Sequence, residues 1–119
     1  MRRLVMFPIA AVALLLGLLG CAGEAAPELG EDAIILDVRT PEEYAAGHID
    51  GAVLLDFNGG QFEAELPNLD PAAEYVVYCR SGNRAGQAVD LMEKAGIANA
   101  VNLGSLEQAA KATGLAVVE

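Results

Sequence analysis

Short apolar runs alternate with helical patterns through most of this chain of 119 residues, and that alternation limits its fold more than any other feature. The predicted strands cover residues 33–38, 51–57, 74–79 and 100–103, and the predicted helices cover residues 40–47, 84–96 and 105–114. Strands separated by helices require crossover connections, which place them side by side in a parallel sheet. Continuous apolar strands are typical of a sheet covered on both faces. We therefore expect an α/β fold in which helices flank a central, mainly parallel sheet.

Capping residues mark the beginnings of two predicted helices. Thr40 can cap the first, with Glu43 completing a capping box, and Ser105 can cap the last. The middle helix is expected to bury a face formed by Ala85, Ala88, Val89, Met92 and Ala95. Residues 59–71 are predicted to form a loop with one helical turn, and the apolar tail at 115–118 can pack or pair.

The N-terminus has the layout of a secretory signal. Two arginines precede an apolar stretch that is shorter than the roughly 20 residues of a membrane-spanning helix. Residues 18–21 read LLGC, which resembles the lipobox at which bacterial lipoproteins are cleaved and lipidated on the cysteine. We expect a signal peptide (1–20), an acidic tether (21–31) and one domain (32–119). The expected location is the periplasmic cell envelope, with a lipid on Cys21 as the membrane anchor. Ordinary signal cleavage and an uncleaved anchor are the alternatives.

The charge balance limits the possible partners. The chain carries 7 basic and 17 acidic residues, a net charge of −10. The predicted leader holds two of the basic residues and none of the acidic ones, so its removal would leave −12. Binding to nucleic acid needs clusters of basic residues, and the composition therefore argues against a nucleic-acid partner.

Cys79 ends the most strand-like run, at the edge where open parallel sheets hold their ligands. The segment that follows it consists of Arg80, Ser81, Gly82, Asn83 and Arg84. The small middle residues let the backbone curl around the cysteine, so that N–H groups at the start of the next helix point inward. Such a group of donors binds anions and stabilises a thiolate over a thiol. The alternative is a cysteine that only packs, followed by a solvated turn.

Two classes of cysteine chemistry fit this loop: phosphate-ester hydrolysis through a cysteinyl phosphate, and sulfur transfer through a persulfide. Cysteine phosphatases place five residues between the cysteine and the arginine, because their loop holds a tetrahedral phosphate. Here four residues separate Cys79 from Arg84, and Tyr78 stands where phosphatases carry a histidine. The shorter loop favours a single sulfur atom, so a small phosphatase or arsenate reductase is the less favoured alternative.

Three segments resemble the rhodanese family of sulfurtransferases in its single-domain form. They are LDVRTPEEYAAGHIDGA at 36–52, VVYCRSGNRAGQA at 76–88 and GIANAVNLGSLEQAAKATGLAVV at 96–118. The short exported form is especially similar to the periplasmic phage-shock-type rhodaneses. The family's usual glycine pair near the end reads Gly104–Ser105, and the tryptophan that commonly follows is absent, so the pocket wall is expected to differ.

The resemblance implies a thiosulfate sulfurtransferase that needs no metal or organic cofactor. Cys79 would take the outer sulfur of thiosulfate as a persulfide, held by loop N–H groups from Arg80 through Arg84, and pass it to cyanide or a thiol. The small anionic donor and this acceptor are the expected partners of a monomer. A sulfur carrier or persulfide-binding module that serves a partner enzyme uses the same residues and remains the alternative.

Four further side chains have expected roles beside the cysteine. Arg80 and Arg84 are predicted to attract the anionic donor. Asp37 is predicted to support the loop and Arg39 to add positive potential, or both serve local structure, with Arg39 paired to Glu42 or Glu43. The position of His48 in its motif is structural in the family.

Overall fold

Four parallel strands form the central sheet in the computed structural model, which describes residues 29–119. The strand order is β3-β1-β4-β5. The strands of this sheet are β1 (Ile34–Asp37), β3 (Val53–Leu54), β4 (Tyr75–Tyr78) and β5 (Ala100–Gly104). All three neighbouring pairs are parallel, with Ile34 opposite Tyr75 and Asp37 opposite Tyr78 at the ends of the central pair. The expected α/β fold with a mainly parallel sheet is confirmed.

Helices cover both faces of this sheet. They are α1 (Pro41–Ala46), α2 (Gln61–Glu65) with a 3-10 turn at Leu66–Asn68, α3 (Asn83–Lys94) and α4 (Leu106–Thr113). One core cluster joins β1 and β4 to α2 and α3, and a second packs Tyr78 against Ala109 of α4. Because side chains alternate along a strand, Cys79 belongs to the first cluster and Tyr78 to the second.

The predicted capping residues begin their helices as expected. The Thr40 side chain accepts the N–H of Glu43, and the Glu43 carboxylate accepts the N–H of Thr40. Ser105 and Gln108 form the same reciprocal pair at α4. These local interactions fix where α1 and α4 start, immediately after the strands that carry the site.

The structure differs from the predicted elements in three places. The strand predicted at 51–57 is regular only at Val53–Leu54, and the next residues continue with isolated hydrogen bonds from the Leu55 and Phe57 N–H groups to the Asp37 and Val38 carbonyls. A separate antiparallel pair joins β2 (His48–Ile49), which was not predicted, to β6 (Val117–Val118) in the tail. Ala95 is exposed beyond the end of α3, so it is not part of the buried helix face.

The N-terminal predictions fall largely on residues that the structure does not describe. The signal peptide at 1–20, the lipidation site Cys21 and most of the tether lie outside the described residues. At the end of the predicted tether, the Gly30 N–H donates to the Glu74 carboxylate at 3.0 Å. Among residues 29–119, every helix is too short or too polar to cross a membrane.

Candidate active site

Cys79 lies directly after β4, and its side chain is fully buried. Its N–H donates to the Gly104 carbonyl of β5 at 3.0 Å, which ties the start of the loop to the neighbouring strand. Its sulfur accepts the N–H of Gly82 at an N···Sγ distance of 2.9 Å and that of Ala85 at 3.4 Å. The cysteine therefore borders the apolar core on one side and inward-facing amides at the start of α3 on the other.

Gly82 makes this loop geometry possible. Its φ of +99° lies in the left-handed region, and a Cβ there would come within 3.3 Å of the Gly104 Cα. The N–H groups of Arg80, Ser81 and Arg84 have no acceptor within residues 29–119. The N–H groups of Gly82 and Ala85 thus already donate to Sγ, and these three further N–H groups remain available to bind an anion.

Asn102 is a site residue that the sequence did not point to. Its amide donates to the Gly82 carbonyl at 3.0 Å, and its carbonyl oxygen accepts the N–H of Gly104 at 2.8 Å. One side chain therefore connects the loop to the end of β5. The available signal was a polar residue near the carboxyl end of a predicted strand, the same edge that holds Cys79.

Arg84 is paired with α1. Its two terminal nitrogens lie 3.0 and 3.3 Å from the carboxylate oxygens of Glu43. The hydrogen bond to Arg84 is the main reason that the pKa of Glu43 falls from an ordinary 4.5 to about 2, and the same bond raises the pKa of Arg84. Since Glu43 also closes the capping box at Thr40, the loop and the start of α1 share one carboxylate.

Asp37 and Arg39 form a buried pair on the opposite face of β4. The Arg39 guanidinium donates to both Asp37 oxygens, at 2.7–3.1 Å, and to the Gly47 carbonyl at 2.6 Å. Burial opposes the charge on Arg39, but the hydrogen bonds and charge of Asp37 raise its pKa. Arg39 is therefore bound to Asp37, and not to Glu42 or Glu43 as the local-structure alternative had it.

Tyr78, the residue before Cys79, is hydrogen-bonded to this pair. Its hydroxyl donates to Asp37 at 2.8 Å and accepts the N–H of Ile49 at 2.9 Å. Burial is the main cause of its raised pKa, so the hydroxyl stays protonated and keeps donating. Asp37 thus supports the segment before Cys79 through Tyr78.

His48 takes part in packing between α1 and β2. Its Nδ1 lies 2.9 Å from the Tyr44 carbonyl oxygen, and its ring stacks on the Tyr44 ring at a centroid distance of 3.6 Å. Within residues 29–119, no group of three His, Cys, Asp or Glu side chains is arranged to hold a metal ion.

A cavity of about 210 Å³ opens beside the loop. Its lining residues come from three elements: Arg39, Glu43 and Ala46 at α1, Arg80 of the loop, and Leu106 and Glu107 at the start of α4. The side chains of Arg80 and Glu107 are exposed. Of the two loop arginines, Arg80 reaches this cavity, whereas Arg84 is held by Glu43.

Comparison with known families identifies this arrangement. The model of the rhodanese-like domain matches residues 22–112. The chain belongs to the rhodanese-like domain family. A solved structure of a rhodanese with anions from Escherichia coli superposes with a TM-score of 0.62 at 26% identity, covering 73% of this chain and 98% of that one.

Curated rhodanese-like relatives share the domain at modest identity. A probable adenylyltransferase/sulfurtransferase of Mycobacterium tuberculosis, MoeZ, is 40% identical over an alignment of 77 residues that covers 62% of this chain. This chain spans only 19% of the length of that protein. The thiosulfate sulfurtransferase PspE of Escherichia coli is 29% identical over 63% of this chain and 72% of its own length. A putative sulfur carrier protein of Bacillus subtilis, YrkF, is 36% identical over 58% of this chain and 36% of its own.

Proposed function

We propose that this rhodanese-like protein is a thiosulfate sulfurtransferase with Cys79 as its nucleophile. The observation that carries the proposal is the 2.9 Å contact between Sγ and the Gly82 N–H, inside a loop of four residues between Cys79 and Arg84. Amides aimed at a sulfur stabilise its negative charge before any substrate arrives. The names of the relatives MoeZ and PspE support the same class of reaction.

The reaction proceeds in two displacements at sulfur. In the first, the Cys79 thiolate attacks the outer sulfur of thiosulfate, a new S–S bond forms, and the old S–S bond breaks with its electron pair leaving on sulfite. In the second, cyanide or a thiolate attacks the outer sulfur of the persulfide, and the electron pair of the breaking bond returns to Cys79. Covalent catalysis of this kind divides one difficult transfer into two easier steps.

The loop amides are suited to the charge that moves in these steps. The outer sulfur of a persulfide lies about 2 Å beyond Sγ. The unpaired N–H groups of Arg80, Ser81 and Arg84 belong to the same turn and can stabilise that sulfur. Arg80 adds an exposed positive charge next to the nucleophile, while Arg84 contributes through its backbone and its bond to Glu43.

Intact mass after treatment with thiosulfate tests the nucleophile. We expect a gain of one sulfur atom in the wild-type protein, reversed by cyanide with release of thiocyanate. Cys79→Ser should remove both the mass gain and the thiocyanate while retaining the circular dichroism spectrum and melting temperature of the folded protein. Persulfide formation by the serine variant would show that Cys79 is not the site.

A sulfur carrier is the second candidate, because it would use the same Cys79 persulfide and the relative YrkF is named as a putative carrier. The two functions differ in turnover. A carrier would form one persulfide per chain and release it slowly to small acceptors, whereas an enzyme would produce thiocyanate over many cycles.

We also propose that the protein is exported and held at the membrane of the cell envelope by a lipid on Cys21, and that it acts as a monomer. The LLGC sequence at 18–21 supports the lipid anchor. The mass of the mature N-terminus and partition into detergent would test it: a soluble product that begins elsewhere would refute the anchor. Size-exclusion chromatography with light scattering would test the monomer.

A further inference from the structure

The cavity beside the loop has the size of a small acceptor. Its volume of about 210 Å³ is below the roughly 300–1,000 Å³ of sites for drug-sized ligands. Leu106 and Ala46 give it apolar walls, and Arg80, the residue that follows Cys79 in the chain, also lines it. A compact molecule with a few methylene groups fits such a space better than a bulky one.

The charges that line the cavity balance each other. Two of the four are already paired, Arg39 with Asp37 and Glu43 with Arg84. Arg80 and Glu107 remain, both exposed and without an ion-pair partner among residues 29–119. The cavity therefore offers one free positive and one free negative group, and not the positive excess that would select anions alone.

We propose that this cavity binds the thiol acceptor and that Glu107 selects thiols which carry an ammonium group. Arg80 would bind a carboxylate on the same molecule, so a small aminothiol acid matches both charges. The donor thiosulfate has no positive group to place against Glu107, which assigns Glu107 to the second displacement. The proposal rests on the proposed function, because it needs a persulfide on Cys79.

The transfer step is a simple exchange. The acceptor thiolate attacks the outer sulfur of the persulfide and forms a new S–S bond. The bond between that sulfur and Cys79 breaks, its electron pair returns to Cys79, and the acceptor leaves as a persulfide anion. Glu107 and Arg80 orient the acceptor and take no part in the covalent change.

Discharge of the loaded persulfide by four thiols tests the selection. The probes are cysteine, with both charges, cysteamine, with the ammonium only, 3-mercaptopropionate, with the carboxylate only, and neutral 2-mercaptoethanol. Each rate is expressed as the ratio of variant to wild type, which cancels the intrinsic reactivity of the thiol. Glu107→Gln should slow cysteine and cysteamine by about two- to fivefold, the range of an exposed ion pair, and leave 2-mercaptoethanol unchanged.

Two further variants sharpen the result. Glu107→Lys should slow cysteamine further and accelerate 3-mercaptopropionate. Glu63→Gln is the control: it makes the same change in net charge at an exposed position of α2 that does not line the cavity. It should leave all four ratios at one. Equal ratios for all four thiols in the Glu107 variants would overturn the assignment.

Loading is measured first by intact mass, which separates the two proposals. If the wild type gains sulfur but Glu107 does not discriminate between thiols, the selection is wrong and the sulfurtransferase function stands. If no sulfur is gained, the proposed function fails and the assignment of the cavity fails with it.

Discussion

Gly82 carries the strictest requirement of any single residue in the loop. Its backbone is left-handed and its N–H donates to Sγ. A Cβ at this position would lie 3.3 Å from the Cα of Gly104. A non-glycine residue in this conformation costs about 1–2 kcal/mol. The identity of this residue therefore affects both the stability of the fold and the position of the amide that meets the sulfur.

Gly82→Ala should lower stability by about 1–2 kcal/mol and slow persulfide formation, because the amide is displaced from Sγ. Gly60→Ala is the matched control: Gly60 has a φ of +89° with no atom near its missing Cβ, and it lies before α2. Urea unfolding and the rate of sulfur gain from thiosulfate check the two effects. An equal loss of stability in both variants, with equal loading rates, would deny the Gly82 amide a role in the reaction.

Local residue choices were readable from the sequence, and distant pairings were not. Thr40 and Ser105 cap their helices through residues three positions away, so the pattern alone predicts them. The ion pair of Arg84 was not predicted, because its partner Glu43 is 41 positions away in the chain. Asn102 was missed for the same reason, since its partner Gly82 is 20 positions away.

At the scale of elements, Glu43 connects α1 to the loop before α3. Its folded pKa of about 2 lies below the ordinary value of 4.5, so the ionised form stabilises the fold above about pH 4.5. That contribution is lost as the pH falls from about 4.5 towards 2. The stability of the loop anchor is thus tied to one carboxylate at the start of a short helix.

Glu43→Gln should be less stable than wild type at pH 7 by about 1 kcal/mol, and the difference should shrink as the pH approaches 2. Glu42→Gln, an exposed neighbour in the same helix turn, removes the same charge without touching Arg84. Urea unfolding at several pH values from 7 to 2.5 measures both. A constant difference between the Glu43 variant and wild type over that range would contradict the ion pair as its cause.

The predicted strand at 51–57 shows why the sequence overestimated one element. Leu55 is buried and Phe57 packs on the core, so the apolar pattern correctly indicated burial. Regular pairing with β1 covers only Val53–Leu54, although the Leu55 and Phe57 N–H groups still donate to the Asp37 and Val38 carbonyls at 2.9 and 3.3 Å. Hydrophobic pattern reports which side chains are covered, and it does not report how far the neighbouring strand extends.

At the scale of the whole molecule, the net negative charge of the chain and the balanced charges of the cavity together determine how an anionic donor approaches. The chain has a net charge of −10, and within residues 29–119 only Arg80 adds an unpaired positive charge at the cavity. From the sequence we predicted that Arg39, Arg80 and Arg84 would supply positive charge beside Cys79. In the structure two of them are paired: Arg39 with Asp37, its neighbour two residues away, and Arg84 with Glu43, which the topology brings to it.

Salt should therefore accelerate loading by the thiosulfate dianion, because screening weakens its repulsion from the acidic surface. We expect the rate constant to rise about two- to threefold between 20 and 200 mM ionic strength. Alkylation of Cys79 by neutral iodoacetamide is the control and should not change. A loading rate that falls with salt would indicate net attraction of the donor and would contradict this account of the charges at the cavity.

The pairing of β6 with β2 connects residues 117–118 to the segment that carries Cys79, although the two are far apart in the sequence. Val117 lies opposite Ile49, and the Ile49 N–H donates to Tyr78, the neighbour of Cys79. Shortening the chain by a few residues, or fusing a purification tag to Glu119, would act on a strand only two links away from the sulfur-bearing segment.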